Sequence, residues 1–372
     1  DCNILQQKRG KHTLPMHASR EPLERPLRVL MVTGVYPTKQ RPHAGTFIKS
    51  QVDSLIAAGL EIEVVHPQAG PTPLRYLAAI RDVLRRTRTR RFDLVHGHYG
   101  LWCLVARLQW TTPVVASFLG DDVLGTVIAN GSYSKKSKAV AYLSHRLCSI
   151  VDAVIVKSEQ MKKAIHGPQQ KIFIVPNGVN FTQFCPLARN EARTALGWDQ
   201  ERYYVLFGNN PDIAVKNYPL AKATIERLRA HGIEAELVVA NGLPHDTVGL
   251  YMNASNALLL TSFAEGSPNV VKEAMACNIP VVSTNVGDVA EVIGRTEGCS
   301  VCPLDPDALA SGLEKALHHT GRTTGRADIQ HLNSETIAQR IITIYQKAIG
   351  SEGEQVEAVS HQQKGNVYAA KE

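Results

Sequence analysis

Residues 265 to 273, Glu-Gly-Ser-Pro-Asn-Val-Val-Lys-Glu, place one carboxylate on each side of a turn-forming stretch and a short apolar run. In one continuous helix an eight-residue offset would separate Glu265 and Glu273 by roughly 12 Å along the axis and about 80° around it, too far to act on one small group. With Glu265 in a loop ahead of the helix, and Gly266 permitting a sharp turn, both can instead border one long ligand. Ser267 reads as an N-cap and Pro268 as the first helical residue. The backbone N–H groups of Asn269 and Val270 then fall in the first turn, at the positive end of the helix dipole, which suits a phosphate. Glu273, one turn further on, can accept hydrogen bonds from vicinal hydroxyls such as those of a ribose. Glu265 lies nearer the group beyond the phosphates, so the order fits a nucleoside, its phosphates and a sugar.

Such a corner must be built by strands and helices in alternation, and the chain has that pattern. Short β-branched runs at 28–33, 61–66, 93–98, 113–117, 153–158 and 172–176 are followed by a second series at 203–208, 234–240, 257–262, 280–285 and 299–303. Helical spacing fills the gaps, as between Thr46 and Ala58, where Phe47, Ile48, Val52, Leu55 and Ile56 recur before Gly59. The alternation predicts an α/β protein of two doubly wound parallel sheets, one over 26–178 and one beginning at 179, joined near Pro176, Asn177 and Gly178. Ligands of such sheets bind at the carboxyl ends of the strands. Gly45 and Thr46 lie at such an end, where their N–H groups either approach a phosphate or acceptor or simply start a helix. Asp288 follows another strand and is a candidate for positioning the ligand. The polar segments 1–25 and 350–372 are read as disordered.

Composition supports a soluble globular chain: of 372 residues, 44% are hydrophobic and 20% charged. No run approaches the roughly 20 apolar residues of a membrane span, and the first residues lack a signal-like apolar stretch, which predicts a cytoplasmic protein. Seven scattered cysteines fit reduced thiols, and the lone pair Cys299 and Cys302 is weak evidence for metal or redox chemistry. Between Arg75 and Arg91 stand seven arginines against one acid, Asp82. That segment is either a solvated helix face or a peripheral contact with anionic lipid or acceptor; without interleaved aromatics, it does not point to nucleic acid. His96 and His98 share one side of a strand, but no third ligand accompanies them, so a satisfied strand-end pair is expected rather than a metal site.

The 265–273 stretch resembles the E-x7-E motif of retaining glycosyltransferases with the GT-B fold, in particular family 4, and the likeness extends over about 27–345. It includes the stretches beginning at Thr33, at Asp93 (DLVHGHYG) and at Val175 (VPNGVN), and continues past Glu273 through NVGDVAEVI. The resemblance implies two Rossmann-like domains facing across a cleft, an N-terminal acceptor domain at 26–178, a nucleotide-sugar domain at 179–333, and a helix at 334–349 crossing back to the first. It implies a nucleotide-sugar donor and no cofactor or required metal, while the arginine run points by analogy to a glycan or lipid-linked acceptor in cell-envelope polysaccharide or glycolipid synthesis. By the same resemblance Glu273 takes the ribose hydroxyls, Glu265 the donor sugar or the phosphates beside it, Asn269 and Val270 backbone contacts, and Lys216 the departing diphosphate. An ammonium at that point stabilises charge developing on the leaving oxygen. Gly266 and Ser267 shape the donor loop, and Asp122 is a site candidate in the turn Gly120–Asp122. Two departures stand out: Asn209 where the family usually has arginine, and Leu119 where many members have histidine. They keep two alternatives open, a sugar-nucleotide-binding protein impaired in transfer and a nucleotide-sugar epimerase of similar architecture.

Overall fold

In the computed structural model, residues 25–68, 71–126 and 134–350 are described. The tails expected at 1–25 and 350–372 lie outside them, but for Arg25 and Gly350. Two all-parallel sheets organise the chain. The first contains β1 (Arg28–Thr33), β2 (Glu61–Val65), β3 (Leu94–His98), β4 (Val114–Ser117), β5 (Ala153–Val156) and β6 (Ile172–Ile174), in the order β2-β1-β3-β4-β5-β6. The second contains β7 (Tyr203–Phe207), β8 (Ala235–Val239), β9 (Ala257–Leu260), β10 (Val281–Thr284) and β11 (Ser300–Cys302), in the order β11-β10-β9-β7-β8. Central strands such as β3, β4, β5, β9 and β10 are buried along their whole length. This is why they read as continuous apolar runs rather than alternating ones.

The strand order reverses between β1 and β3 in one sheet and between β7 and β9 in the other. Loops diverge at these switch points and leave a crevice at the strands' carboxyl ends. The loops after β7 and β9 carry Asn209 and Glu265, so the topology itself brings these two regions of sequence together.

The helix Thr46–Ala57 turns Ile48, Val52 and Leu55 inward, one helical stripe. Ile56, expected on that stripe, is 49% exposed because it lies one residue past it. The helix Ser334–Ala348 follows the second sheet in sequence, yet its Tyr345 hydroxyl lies 2.6 Å from His96 Nδ1 on β3. Its Ile337, Ile341 and Ile344 join one continuous core with Val29 and Leu55 of the first half and Leu258 and Ala274 of the second. Among the described residues no helix is long and apolar enough to cross a membrane. The six described cysteines are free thiols.

Candidate active site

Between the two sheets lies a cavity of about 460 Å³. His43, Thr46, Phe47 and Leu119 wall it from the first half. Asn209, Lys216, Glu265, Gly266, Ser267, Asn269, Val270 and Glu273 wall it from the second. Most of the residues singled out by sequence are therefore gathered in one place, and both carboxylates of the 265–273 stretch border it.

Lys216 stands at the end of a short 3-10 turn, Ala214–Lys216, and its backbone is tied down when Thr261 Oγ1 donates to the carbonyls of Lys216 and Asn217, each at 3.0 Å. Its Nζ donates to Glu265 Oε1 at 2.6 Å, and Ser262 Oγ donates to the same oxygen at 2.6 Å. The lysine and glutamate side chains are 21% and 12% exposed, so the pair is largely desolvated and its charges act strongly on whatever enters beside them. Glu273 is half-buried on the cavity wall.

The helix Asn269–Ala276 begins one residue later than a Ser267 cap requires: Pro268 occupies the N-cap position with no side-chain bond. Ser267 Oγ instead donates to Asp288 Oδ2 at 2.6 Å and accepts from Lys272 Nζ, which lies 3.2 Å from the same carboxylate oxygen. All three side chains are buried. The serine, lysine and aspartate together staple the loop 266–268 to the turn after β10. Asp288 thus positions the loop and does not line the cavity. Gly266 also has a different reason from a left-handed turn. A Cβ there would fall 2.3 Å from the Leu119 carbonyl oxygen and 3.1 Å from Gly120 Cα, so glycine is required by the close approach of the two halves. Asn269 Oδ1 accepts from Asn177 Nδ2 at 3.0 Å, a second tie between the join and the motif helix.

Two expected site residues stand elsewhere. Asp122 is fully buried and absent from the cavity wall; its Oδ1 accepts from Leu119 N and Gly120 N, both at 2.9 Å, and its Oδ2 from Gly100 N at 3.0 Å. With both oxygens committed to backbone, it shapes the turn that meets Gly266 and does not line the cavity. Burial pushes its carboxyl up to about 6 against the pull of those N–H groups. Gly45, at φ 71°, is the N-cap of the Thr46 helix, where a Cβ would lie 2.7 Å from Val35 O; Thr46, not Gly45, faces the cavity.

Asn209, at the position of the family arginine, lines the cavity with its Nδ2 buried and unpartnered. An orphaned donor of this kind fits a phosphate oxygen. His96 is a satisfied residue, bonded to Tyr345 and to Ser117 Oγ at 2.7 Å, but both ring nitrogens of buried His98 lack partners, so the expected satisfied pair is only half present. Lys272 was missed by sequence reasoning: by itself it looks like a surface lysine, and only the enclosure of its helix, with Val270, Val271, Ala274 and Met275 in the core, buries it. Along Thr72–Thr89 the arginine run is partly neutralised, Arg86 and Arg90 sharing Glu63 at 2.8 and 2.6 Å and Arg85 meeting Asp82 at 2.7 Å.

Residues 23–183 match the family model described as Glycosyltransferase Family 4, and residues 202–319 match that described as Glycosyl transferases group 1. The fold and cleft are those of a GT-B glycosyltransferase. The chain belongs to glycosyltransferase family 4. It is 24% identical over 362 residues to TuaC of Bacillus subtilis (strain 168), a glycosyltransferase ascribed to teichuronic acid biosynthesis, covering 78% of this chain and 90% of that one. It is 26% identical over 328 residues to the D-inositol 3-phosphate glycosyltransferase of Mycobacterium marinum (strain ATCC BAA-535 / M), covering 75% and 69%. Among solved structures, sucrose-phosphate synthase from Thermosynechococcus elongatus superposes with a TM-score of 0.68 at 19% identity, over 88% of this chain and 100% of that one. Anabaena HepE in complex with UDP superposes with a TM-score of 0.60 at 17% identity, over 86% and 98%.

Proposed function

We propose that this glycosyltransferase takes a nucleotide diphosphate sugar in the 460 Å³ cavity and transfers the sugar, with retention at the anomeric carbon, to a hydroxyl of a glycan or lipid-linked acceptor. The observation that carries the reading is the cavity-lining pair Lys216 and Glu265 beside the start of the Asn269 helix, with Glu273 on the same wall. Glu273 holds the ribose hydroxyls, and the N–H groups of Asn269 and Val270 meet the phosphates. In the transfer step the bond from the anomeric carbon to phosphate oxygen breaks, and its electron pair stays on the diphosphate. The acceptor oxygen bonds the carbon on that same face and gives its proton to the departing phosphate oxygen. Lys216 stabilises the charge that develops there, so this scheme calls on no metal or further cofactor.

Cell-envelope polysaccharide or glycolipid synthesis is the setting this reading favours, supported by the likeness to a chain ascribed to teichuronic acid synthesis. Peripheral contact with an anionic leaflet through the Thr72–Thr89 helix is part of the proposal. Leu74 and Leu77 on it are 56% and 62% exposed, and Arg81 and Arg88 have no ion pair among the described residues. Retention of the chain by phosphatidylserine vesicles and not by neutral ones is the expected result.

The test of the reaction is a thermal-shift screen of nucleotide sugars followed by product analysis with the best donor. The expected product is an α- or β-glycoside of the same anomeric configuration as the donor. Saturable donor binding without turnover would favour a binding protein, and a new sugar nucleotide formed without acceptor would favour an epimerase. Either outcome overturns the transfer assignment.

A further inference from the structure

The loop from Thr38 to Thr46 has two faces. His43 and Thr46 close the cavity just described, while Thr38, Arg41 and Ala44 wall a second one of about 480 Å³ at the carboxyl ends of β1 and β2. Tyr36, Gln40, His66, Gln68 and Arg75 complete the polar part of its wall, and its described lining contains no aspartate or glutamate.

Arg75 is half-buried and held in place: its Nε donates to Pro67 O at 2.9 Å and its Nη2 to Gly34 O at 2.8 Å, which clamps the loops after β1 and β2 together. Its guanidinium carbon sits 5.9 Å from the Trp102 ring centroid. Among the described residues neither Arg75 nor Arg41 has a carboxylate partner, whereas Arg86 and Arg90, further along the same segment, share Glu63. The ring of His66 is held below its ordinary value, by burial first and by the charge of Arg75 in addition. A fixed, partly desolvated guanidinium that shares a cavity with a second arginine and no acid costs free energy unless an anion compensates it.

We infer that this second cavity receives the acceptor and selects one that carries an oxyanion, a phosphate or a carboxylate, which Arg75 and Arg41 hold through charge-assisted hydrogen bonds. The identification of the occupant as acceptor rests on the donor reading above; the selectivity for an anion rests on the second cavity alone. The shared loop 38–46 then places a hydroxyl of the anchored acceptor next to the sugar held across it.

The test uses the whole chain saturated with UDP and three hexoses that differ only at carbon 6: glucose, glucose 6-phosphate and glucuronate. Binding is followed by calorimetry and by the emission of tryptophan, since Trp102 lies beneath Arg75. At least one anionic sugar should bind about tenfold or more tightly than glucose, the size of one charge-assisted hydrogen bond. Preference for glucose 6-phosphate assigns a phosphate; preference for glucuronate assigns a carboxylate. Arg75→Gln and Arg41→Gln should each remove about that factor for the anionic sugar and leave glucose and UDP unaffected. If Arg75→Gln does not fold, Arg41→Gln on its exposed loop decides the matter. Equal or undetectable binding of all three sugars, or an unchanged preference in the folded variants, overturns the inference. Failure of UDP to bind would show separately, in the first titration, and would strike the donor reading instead.

Discussion

The two sheets meet at one cleft, and they handle charge there in opposite ways. On the side of the second sheet, charges are kept and paired: Lys216 with Glu265, and Lys272 with Asp288 and Ser267. Behind the wall formed by the first sheet, charges are suppressed. His98 is pushed down to about 3 by burial and by Lys157. Lys157 is pulled down to about 7 by burial and then by Lys272, its Nζ reaching only the Val175 carbonyl at 3.4 Å. Asp122 rises to about 6. A dry environment penalises any net charge, and either a partner or a proton can relieve the penalty. The donor wall, which presents charge to a ligand, has partners. The buried groups behind the first sheet, away from the Arg75 cavity, can lose their charge.

The sharpest way to break this contrast is to unpair a charge on the second side. Lys272→Met leaves Asp288 buried without its cation and should lower stability by about 3–5 kcal/mol in denaturant titration. The double variant Lys272→Met/Asp288→Asn should recover most of that loss, because both charges have gone. A double variant as unstable as the single one would mean that the pair acts by shape rather than by charge. Donor affinity separates this from catalysis: the double variant folds but no longer clamps loop 266–268, so its KM for donor should rise more than its kcat falls.

Next in size is the pair that faces the cavity. Lys216→Ala should lower kcat by about 10²- to 10³-fold, the usual cost of removing one group that stabilises developing charge. Removing the ammonium leaves the largely desolvated Glu265 carboxylate without its cation, so stability in the same denaturant titration should also fall, by about 1–3 kcal/mol. Glu273→Ala should act mainly on KM for the donor, as expected of a group that holds ribose hydroxyls before and during the reaction alike. Equal turnover by wild type and both variants would separate this cavity from the chemistry.

The same contrast explains what could be read from the chain alone. All eleven strands were visible as short β-branched runs, the central ones without alternation because parallel strands there are covered on both faces; apart from β1 their ends were overread by one or two residues, as with the run to Pro176, where β6 stops at Ile174. The corner at 265–273 was legible because turn residues and helix-start residues have local causes. Its inner bracing was not. Lys272 looks like any surface lysine until the helix is seen to be enclosed, and Gly266 looks like a turn until the Leu119 carbonyl arrives from 147 positions earlier in sequence. Asp122 misled in the opposite direction: a strand-end aspartate is a reasonable ligand contact by position, but three backbone N–H groups claim it. Long-range approaches leave no local trace, so the residues that respond to them were the ones misjudged or missed.

The smallest effect tests the suppressed side. His98 has a depressed pKa in the folded chain, so below its ordinary value near 6.5 the unfolded chain takes up a proton that the folded chain refuses down to about 3. Its contribution to stability is complete above 6.5 and is lost as pH falls, reaching about 2 kcal/mol at pH 5. Asp122, with its pKa raised, has the opposite sign and gains stability as pH falls below about 6, which partly masks the loss in the wild type. His98→Leu removes only the first term. Its thermal midpoint should fall less, or rise, between pH 7 and pH 5, and at pH 7 it should be no less stable than wild type by more than about 1 kcal/mol, since neither ring nitrogen of His98 has a bond to lose. An unchanged pH slope would mean that His98 takes up its proton at the same pH folded as unfolded, so that burial does not suppress its charge.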